Sequence, residues 1–346
     1  MGMTICTRGG DAGVGARSPE LQLGRRSRRL ATTGGLEVDG LSVNSVANEA
    51  EAVRHIPVAW FYIFTKFLKL IIRSSTAIMN WLEGKVAIIT GAASGIGEAT
   101  ARVFVENGAF VVVADIQEEL GLKVVASIAG PDHRAIYKNC DVTVENQVEE
   151  TVAFAIEKYG KLDIMYSNAG IVGSMESILD MDMEKGFDQT MAVNLRGSAN
   201  CIKHAARAMV KQQVKGSIIC TASSTSILGG MAPLAYTVSK HGLVGLVKAA
   251  ASELGKQGIR VNCVSPYYVA TPLALGALGM NPSEGEAFFS SVGNLKGIAL
   301  KAKHVAEAVL FLASDESAFV SGHNLVVDGG FTVVNHSFDM IFEKHG

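Results

Sequence analysis

Residues 86–97 read VAIITGAASGIG, a short apolar run that leads directly into three closely spaced glycines. The next residues, EATARVFVENG, carry apolar side chains at helical spacing. Strand, glycine turn and helix in this order present unpaired backbone N–H groups at a helix N-terminus, where a pyrophosphate binds. The alternative is a tight turn without a ligand, but the flanking elements favour a dinucleotide site at Gly91, Ser94, Gly95, Ile96 and Gly97.

The same alternation continues along the rest of the chain. Parallel strands buried on both faces are predicted at 110–114, 163–167, 216–220, 259–264 and 324–328, with a weaker strand at 135–139. Helices are predicted at 95–107, 117–129, 144–159, 186–212, 233–255 and 302–314. This order predicts an α/β fold with a doubly wound parallel sheet of about seven strands, in a single domain over residues 82–335.

The overall composition excludes several classes of function. Among 346 residues, 31 are basic and 33 acidic, and this balance does not attract a nucleic-acid backbone, so we predict no nucleic-acid partner. The 5 cysteines and 8 histidines are scattered without metal-ligand spacing, so we predict no metal site. Cysteines without a disulfide pattern fit a reducing compartment, and a cytoplasmic location is favoured.

The N-terminal segments differ from this pattern. Residues 1–55 are rich in Gly and Arg and predict a flexible tail, and residues 336–346 predict a C-terminal tail. Residues 56–81 form an apolar and basic extension, whose apolar run at 56–72 is shorter than the roughly 20 residues of a spanning helix. Peripheral membrane contact through an interfacial helix at 56–73 is one interpretation. A helix packed on the protein's own surface, a poorly ordered extension and an organelle-targeting segment that is removed stay open as alternatives.

Side chains at the ends of the predicted strands complete the nucleotide site. Asp115 ends the second strand, where a carboxylate accepts hydrogen bonds from ribose hydroxyls and repels a 2′-phosphate. Neither Ser94 nor Ile116 supplies a cation for that phosphate, so NAD is the predicted cofactor rather than NADP.

Two further strand ends face the same cofactor. Ligands of an open parallel sheet lie outside the carboxyl ends of its strands, which places four more residues at the site: Asp141, Val142, Asn168 and Ala169. Asp141 is assigned to the adenine edge, and a role as a helix cap or turn former is equally consistent with its position.

A tyrosine and a lysine form the predicted reacting centre. Tyr236 and Lys240 lie one helical turn apart, so their side chains share a face. A nearby ammonium and a positive nicotinamide ring would lower the pKa of the phenol, as a general base at neutral pH requires. Ser223, at a strand end thirteen residues before Tyr236, would hydrogen-bond the substrate oxygen. Tyr62 and Lys66 repeat the spacing without such a serine, and we interpret them as a chance match.

A family resemblance rests on the set of motifs. TGAASGIG, NAG at 168–170, Asn194 in VNLRG, Ser223 in CTASS, YTVSK at 236–240 and SPYYVATP occur in the order typical of the short-chain dehydrogenase/reductases. Over roughly residues 82–335 the chain resembles this family. The region from SPYYVATPL to VDGGF is similar to plant secondary-metabolite enzymes such as the xanthoxin, isopiperitenol and secoisolariciresinol dehydrogenases.

The resemblance implies a Rossmann-type domain, a homotetramer and a nicotinamide-dependent alcohol dehydrogenase. It implies four catalytic residues, of which the last two also contact the cofactor: Asn194, Ser223, Tyr236 and Lys240. Asn194 would hold a water that links Lys240 to solvent, although an ordinary polar helix residue is the alternative. Val269 and Thr271 would meet the nicotinamide carboxamide, while Tyr267 replaces the glycine of many relatives.

The stretch from Leu273 to Leu295 is weakly periodic and is predicted to form a mobile substrate lid. Its apolar side chains suggest a bulky hydrophobic substrate or, equally, core packing. We therefore predict an NAD-dependent oxidoreductase for a hydrophobic secondary alcohol, terpenoid- or lignan-like. A non-catalytic NAD-binding partner or sensor on the same scaffold is the alternative.

Overall fold

The computed structural model describes residues 80–335. The predicted tails at 1–55 and 336–346, the chance motif at Tyr62 and Lys66, and all but the last two residues of the 56–81 extension lie outside this range. Of those two, Trp81 packs against the core, so the domain includes at least one residue before the predicted boundary at 82. Within 80–335, no helix is long and apolar enough to cross a membrane.

Seven strands of the described chain form one parallel sheet. They are β1 (Val86–Thr90), β2 (Phe110–Asp115), β3 (Ala135–Asn139), β4 (Ile164–Ser167), β5 (Ser217–Thr221), β6 (Arg260–Pro266) and β7 (Asn324–Val327). Their order in the sheet is β3-β2-β1-β4-β5-β6-β7. The order reverses between β1 and β4, which leaves a crevice at the carboxyl ends of these two strands. The prediction of a doubly wound sheet is confirmed.

Helices cover both faces of the sheet. They are α1 (Gly95–Glu106), α2 (Glu118–Ile128), α3 (Glu145–Tyr159), α4 (Gly197–Lys211), α5 (Leu234–Leu254), α6 (Pro272–Leu278), α7 (Pro282–Val292) and α8 (Ala302–Ala313). One core cluster packs α3, α4 and α5 on one face of the sheet, and a second packs α1 and α8 on the other. Both faces are therefore buried, which explains why the central strands read as unbroken apolar runs.

Three predictions of local structure need correction. The helix predicted at 186–212 contains π-helical turns at Met183–Asp188 and Ala192–Arg196, joined by Gln189–Met191, before α4 begins. Strand β3 ends at Asn139, so Asp141 lies in the following loop rather than at the end of the strand. The weakly periodic stretch predicted as a lid contains two helices, α6 and α7, and a capping box of Asn281 and Glu284 begins α7.

Candidate active site

The glycine turn between β1 and α1 has a backbone that only small residues tolerate. Gly91 and Gly95 have positive φ angles of +64° and +59°. A Cβ on Gly97 would lie 2.1 Å from the Gly91 carbonyl oxygen, and a Cβ on Gly91 would lie 2.8 Å from the Cα of Ala169. Because side chains are excluded here, the backbone N–H groups at the start of α1 stay open to a pyrophosphate. These residues fit a dinucleotide.

Asp115 lies where the sequence predicts it, as the last residue of β2. Its side chain is buried, with Oδ2 accepting from the Ala93 N–H at 2.9 Å and Oδ1 accepting from the Gln117 N–H at 2.9 Å. The carboxylate therefore also fixes the glycine turn. The side chain of Ile116 beside it is 64% exposed and apolar, so it offers no positive charge next to the carboxylate.

Asp141 forms a local turn after β3. Its Oδ1 accepts from the backbone N–H of Thr143 at 2.8 Å and from the Thr143 hydroxyl at 2.7 Å. These contacts agree with the role of a turn former, while contact with adenine stays a prediction. Val142 is buried against α4, where a Cβ on Gly197 would lie 2.7 Å from Val142 Cγ2.

Asn168 joins the ends of three neighbouring strands. Its backbone N–H donates to the Thr90 hydroxyl at 3.0 Å, and its Nδ2 donates to the Gly91 carbonyl at 3.2 Å. Its Oδ1 lies 3.0 Å from the Thr221 hydroxyl at the end of β5. The adjacent Ala169 N–H also donates to the Thr90 hydroxyl, at 3.1 Å. The two threonines that end β1 and β5 were missed by the sequence analysis, although their position at strand ends could have indicated them.

Tyr236 and Lys240 share the first turns of α5, as predicted. The Lys240 ammonium lies 5.4 Å from the centroid of the Tyr236 ring and donates to the Thr221 carbonyl at 2.7 Å. Lys240 is only 3% exposed. Ser223, two residues beyond β5, hydrogen-bonds the Tyr236 side chain. The structure thus brings the phenol, the amine and the hydroxyl together at the carboxyl edge of the sheet.

Burial sets the protonation of this pair. It raises the pKa of Tyr236 to about 12, which the hydrogen bond with Ser223 partly opposes, and it lowers the pKa of Lys240 to about 8. At pH 7 the phenol is therefore neutral. The chain's own groups shift the Tyr236 pKa in the direction opposite to the one expected from a nearby ammonium, because burial is the largest contribution to the shift.

Asn194 lies in the second π-helical turn and is buried. Its Oδ1 accepts from the Ile171 N–H at 2.9 Å, and its Nδ2 donates to the Ile171 carbonyl at 2.9 Å and to the Ser239 hydroxyl at 3.0 Å. A Cβ on Gly170 would lie 3.2 Å from Asn194 Oδ1 and 3.7 Å from Lys240 Nζ, so both side chains pack over Gly170. Asn194 positions the loop after β4 beside Lys240, while its role in holding a water stays a prediction.

The segment after β6 returns to the glycine turn. A Cβ on Gly95 would lie 3.3 Å from the Thr271 side chain, so Thr271 lies directly over the start of α1. The Thr271 hydroxyl also caps α6 by accepting from the Ala274 N–H at 3.4 Å. Val269 is buried just before it. Thr271 therefore lies next to the glycine turn, and contact of Val269 and Thr271 with a carboxamide stays a prediction.

Comparison with known proteins identifies the family of this chain. The family model described as "Enoyl-(Acyl carrier protein) reductase" matches residues 91–332. The chain is 56% identical to Short-chain dehydrogenase reductase 3b of Arabidopsis thaliana over 253 residues, which cover 73% of this chain and 97% of that protein. It is 54% identical to Momilactone A synthase of Oryza sativa subsp. japonica over 258 residues, with coverages of 74% and 93%.

A solved structure, that of levodione reductase, superposes with a TM-score of 0.69 at 30% identity, covering 73% of this chain and 100% of that chain. The chain belongs to the short-chain dehydrogenase/reductase family of oxidoreductases. The resemblance seen in the sequence motifs is confirmed.

Proposed function

We propose that this protein interconverts a hydrophobic secondary alcohol and its ketone with NAD, using Tyr236 as the acid and base. The observation that carries the proposal is the meeting of Ser223, Tyr236 and Lys240 beside the glycine turn. When bound, the nicotinamide ring would exchange a hydride with the substrate carbon.

The Tyr236 phenol already carries the proton that reduction of a ketone requires, which supports the reductive direction. A neutral Tyr236 phenol, with a pKa of about 12, donates a proton to the oxygen of a ketone as the alcohol forms. The Ser223 hydroxyl stabilises the charge that develops on the same oxygen. In the oxidative direction Tyr236 must first release its proton. A positively charged nicotinamide ring, in addition to the Lys240 ammonium, would favour that release by attracting the phenolate.

The lid helices support a hydrophobic substrate. Leu273, Leu278 and Phe288 are 44%, 39% and 49% exposed, whereas Leu275 and Phe289 are buried. We therefore assign core packing to the buried pair and propose substrate contact for the exposed set. The similarity to Momilactone A synthase supports a substrate from plant secondary metabolism, terpenoid- or lignan-like.

Replacing the proposed base tests the assignment. We expect Tyr236→Phe to bind NAD as the wild type does, because the ring is retained, and to lose at least about 100-fold in kcat. The measurement is NADH absorbance with a panel of secondary alcohols, paired with calorimetric titration of NAD.

Substantial turnover by Tyr236→Phe would exclude this base. A wild type that binds NAD and oxidises no alcohol of the panel would instead favour the non-catalytic NAD-binding partner.

Asp115 is the proposed determinant of the preference for NAD. We expect Asp115→Ala to bind NADP more tightly relative to NAD, because the carboxylate that would repel a 2′-phosphate is gone. Asp115 also holds the Ala93 N–H, so affinity for both cofactors should fall. The measurement is the ratio of the two dissociation constants, and a wild type that prefers NADP would contradict the proposal.

A further inference from the structure

A cavity of about 190 Å³ lies behind Tyr268, between the end of β6, helix α7 and the end of β7. Tyr268 and Phe289 form part of its wall, together with Leu295 and Ile298 from the chain after α7. The volume is below the roughly 300–1,000 Å³ of a complete ligand pocket, so the cavity suits part of a substrate rather than a whole one.

Tyr268 connects this cavity to the reacting centre. Its hydroxyl donates to the carbonyl of Met231, in the loop that leads from Ser223 to Tyr236. Its phenol group is close enough to that of Tyr236 to influence its ionisation. Tyr268 also forms part of the wall of the cavity.

The ring of Tyr268 is held in place by aromatic neighbours. It stacks on Phe289 of α7 with centroids 5.0 Å apart and planes 11° apart. It meets the Tyr267 ring edge-on at 5.1 Å. Stacking on α7 and bonding to the Met231 loop fix the ring at two points, one at the cavity and one in the loop that precedes Tyr236.

We propose that Tyr268 is a specificity-determining residue whose ring closes the substrate site off from this cavity and so limits the size of the alcohol accepted. The inference rests on the proposed function and deepens it. The ring then sets the upper size limit of the substrate, and its removal joins the cavity to the site and admits an alcohol extended by a further apolar ring.

The test compares a monocyclic with a bicyclic substrate. The readout is kcat/KM for a decalin alcohol divided by kcat/KM for cyclohexanol, with NAD. We expect Tyr268→Ala to raise this ratio on the order of tenfold, because additional apolar groups gain a place to bind. Tyr268→Phe retains the ring and should keep the wild-type ratio.

Tyr267→Phe is the matched control. It removes a hydroxyl from the neighbouring residue, and this hydroxyl is buried without a hydrogen-bond partner in the part of the chain that the structure describes. We expect its size preference to equal that of the wild type. A shift as large as that of Tyr268→Ala would overturn the proposal.

Two further measurements keep the test decisive. Tyr268→Leu keeps more apolar volume and should give an intermediate ratio if the alanine variant does not fold. Calorimetric binding of decalone and cyclohexanone in the presence of NAD, with which a ketone cannot react, gives the same comparison without turnover, so an inactive wild type would contradict the proposed function alone. A folded, NAD-binding Tyr268→Ala whose ratio and binding preference match the wild type would overturn the role of Tyr268.

Discussion

Lys240 shows how strongly burial controls a single residue of this site. Its ammonium lies almost completely inside the protein, and the hydrogen bond to the Thr221 carbonyl is the contact that compensates for lost solvent. Burial lowers its pKa from 10.5 to about 8, while the nearby thiols of Cys220 and Cys263 act in the opposite direction. The folded state therefore holds this proton less tightly than the unfolded chain does.

This difference predicts a pH-dependent stability. Between pH 8 and about 10.5 the unfolded chain binds more protons at Lys240 than the folded protein, so the contribution of Lys240 to the free energy of unfolding should rise with pH. Below pH 8 both states carry the proton and the contribution is constant. We expect Lys240→Met to lack this rise, which has an upper limit of about 1.4 kcal/mol per pH unit.

Urea unfolding at pH 7.5, 8.5 and 9.5 measures the effect. Lys248→Met, at an exposed position of the same helix, is the control and should keep the wild-type dependence. A parallel course for wild type and Lys240→Met would show that the pKa of Lys240 is not lowered in the folded state.

Sequence alone pointed to Lys240 and Asn194 but did not identify what these side chains contact. Lys240 bonds a backbone carbonyl and Asn194 bonds the backbone of Ile171, and such partners have no side-chain signature. The direction of the Tyr236 pKa shift was also inaccessible, because it depends on how deeply α5 is buried rather than on the spacing of Tyr236 and Lys240.

Among the elements, the strands were the most predictable. Strands β1, β2, β4 and β5 are almost entirely buried, so their apolar runs are continuous. The edge strand β3 is only partly buried and gave the weaker pattern. Its bounds were nevertheless predicted correctly at 135–139, and only the placement of Asp141 at the strand end was wrong, because Asp141 lies two residues beyond Asn139.

The helical elements after β4 and β6 were harder to predict. The π-helical turns around Asn194 have no simple apolar period, so the sequence indicated one uninterrupted helix. Helix α7 did carry a readable start signal, since Asn281, Pro282 and Glu284 are an N-cap, a first-turn proline and a capping-box partner. The signal was outweighed by the weak periodicity of the surrounding residues.

For the whole molecule, we expect a homotetramer. The resemblance to the family implies it, and two surface features support it. Phe319 is fully exposed in the loop before β7, and an open groove lies between the chain around α4 and helix α5, with Met191, Leu195 and Leu246 in its walls. Apolar surface of this kind is typical of contacts between subunits.

Light scattering of the purified protein measures the assembly. The expected mass is four times that of the chain. Leu246→Glu should reduce it by placing a charge in the groove, whereas Lys248→Glu, on the same helix outside the groove's walls, should not. A monomer at micromolar concentration would contradict the expectation.

The hydrogen bonds of Asn168 have a consequence for how the molecule can open. They fasten β4 to β1 and β5 at the seam where the two halves of the sheet meet. A hinge along that seam would break several of these bonds together, so we expect the seam between β1 and β4 to stay closed. We therefore expect a cofactor to enter and leave by movement of the short helices α6 and α7, which follow β6, rather than by opening of this seam.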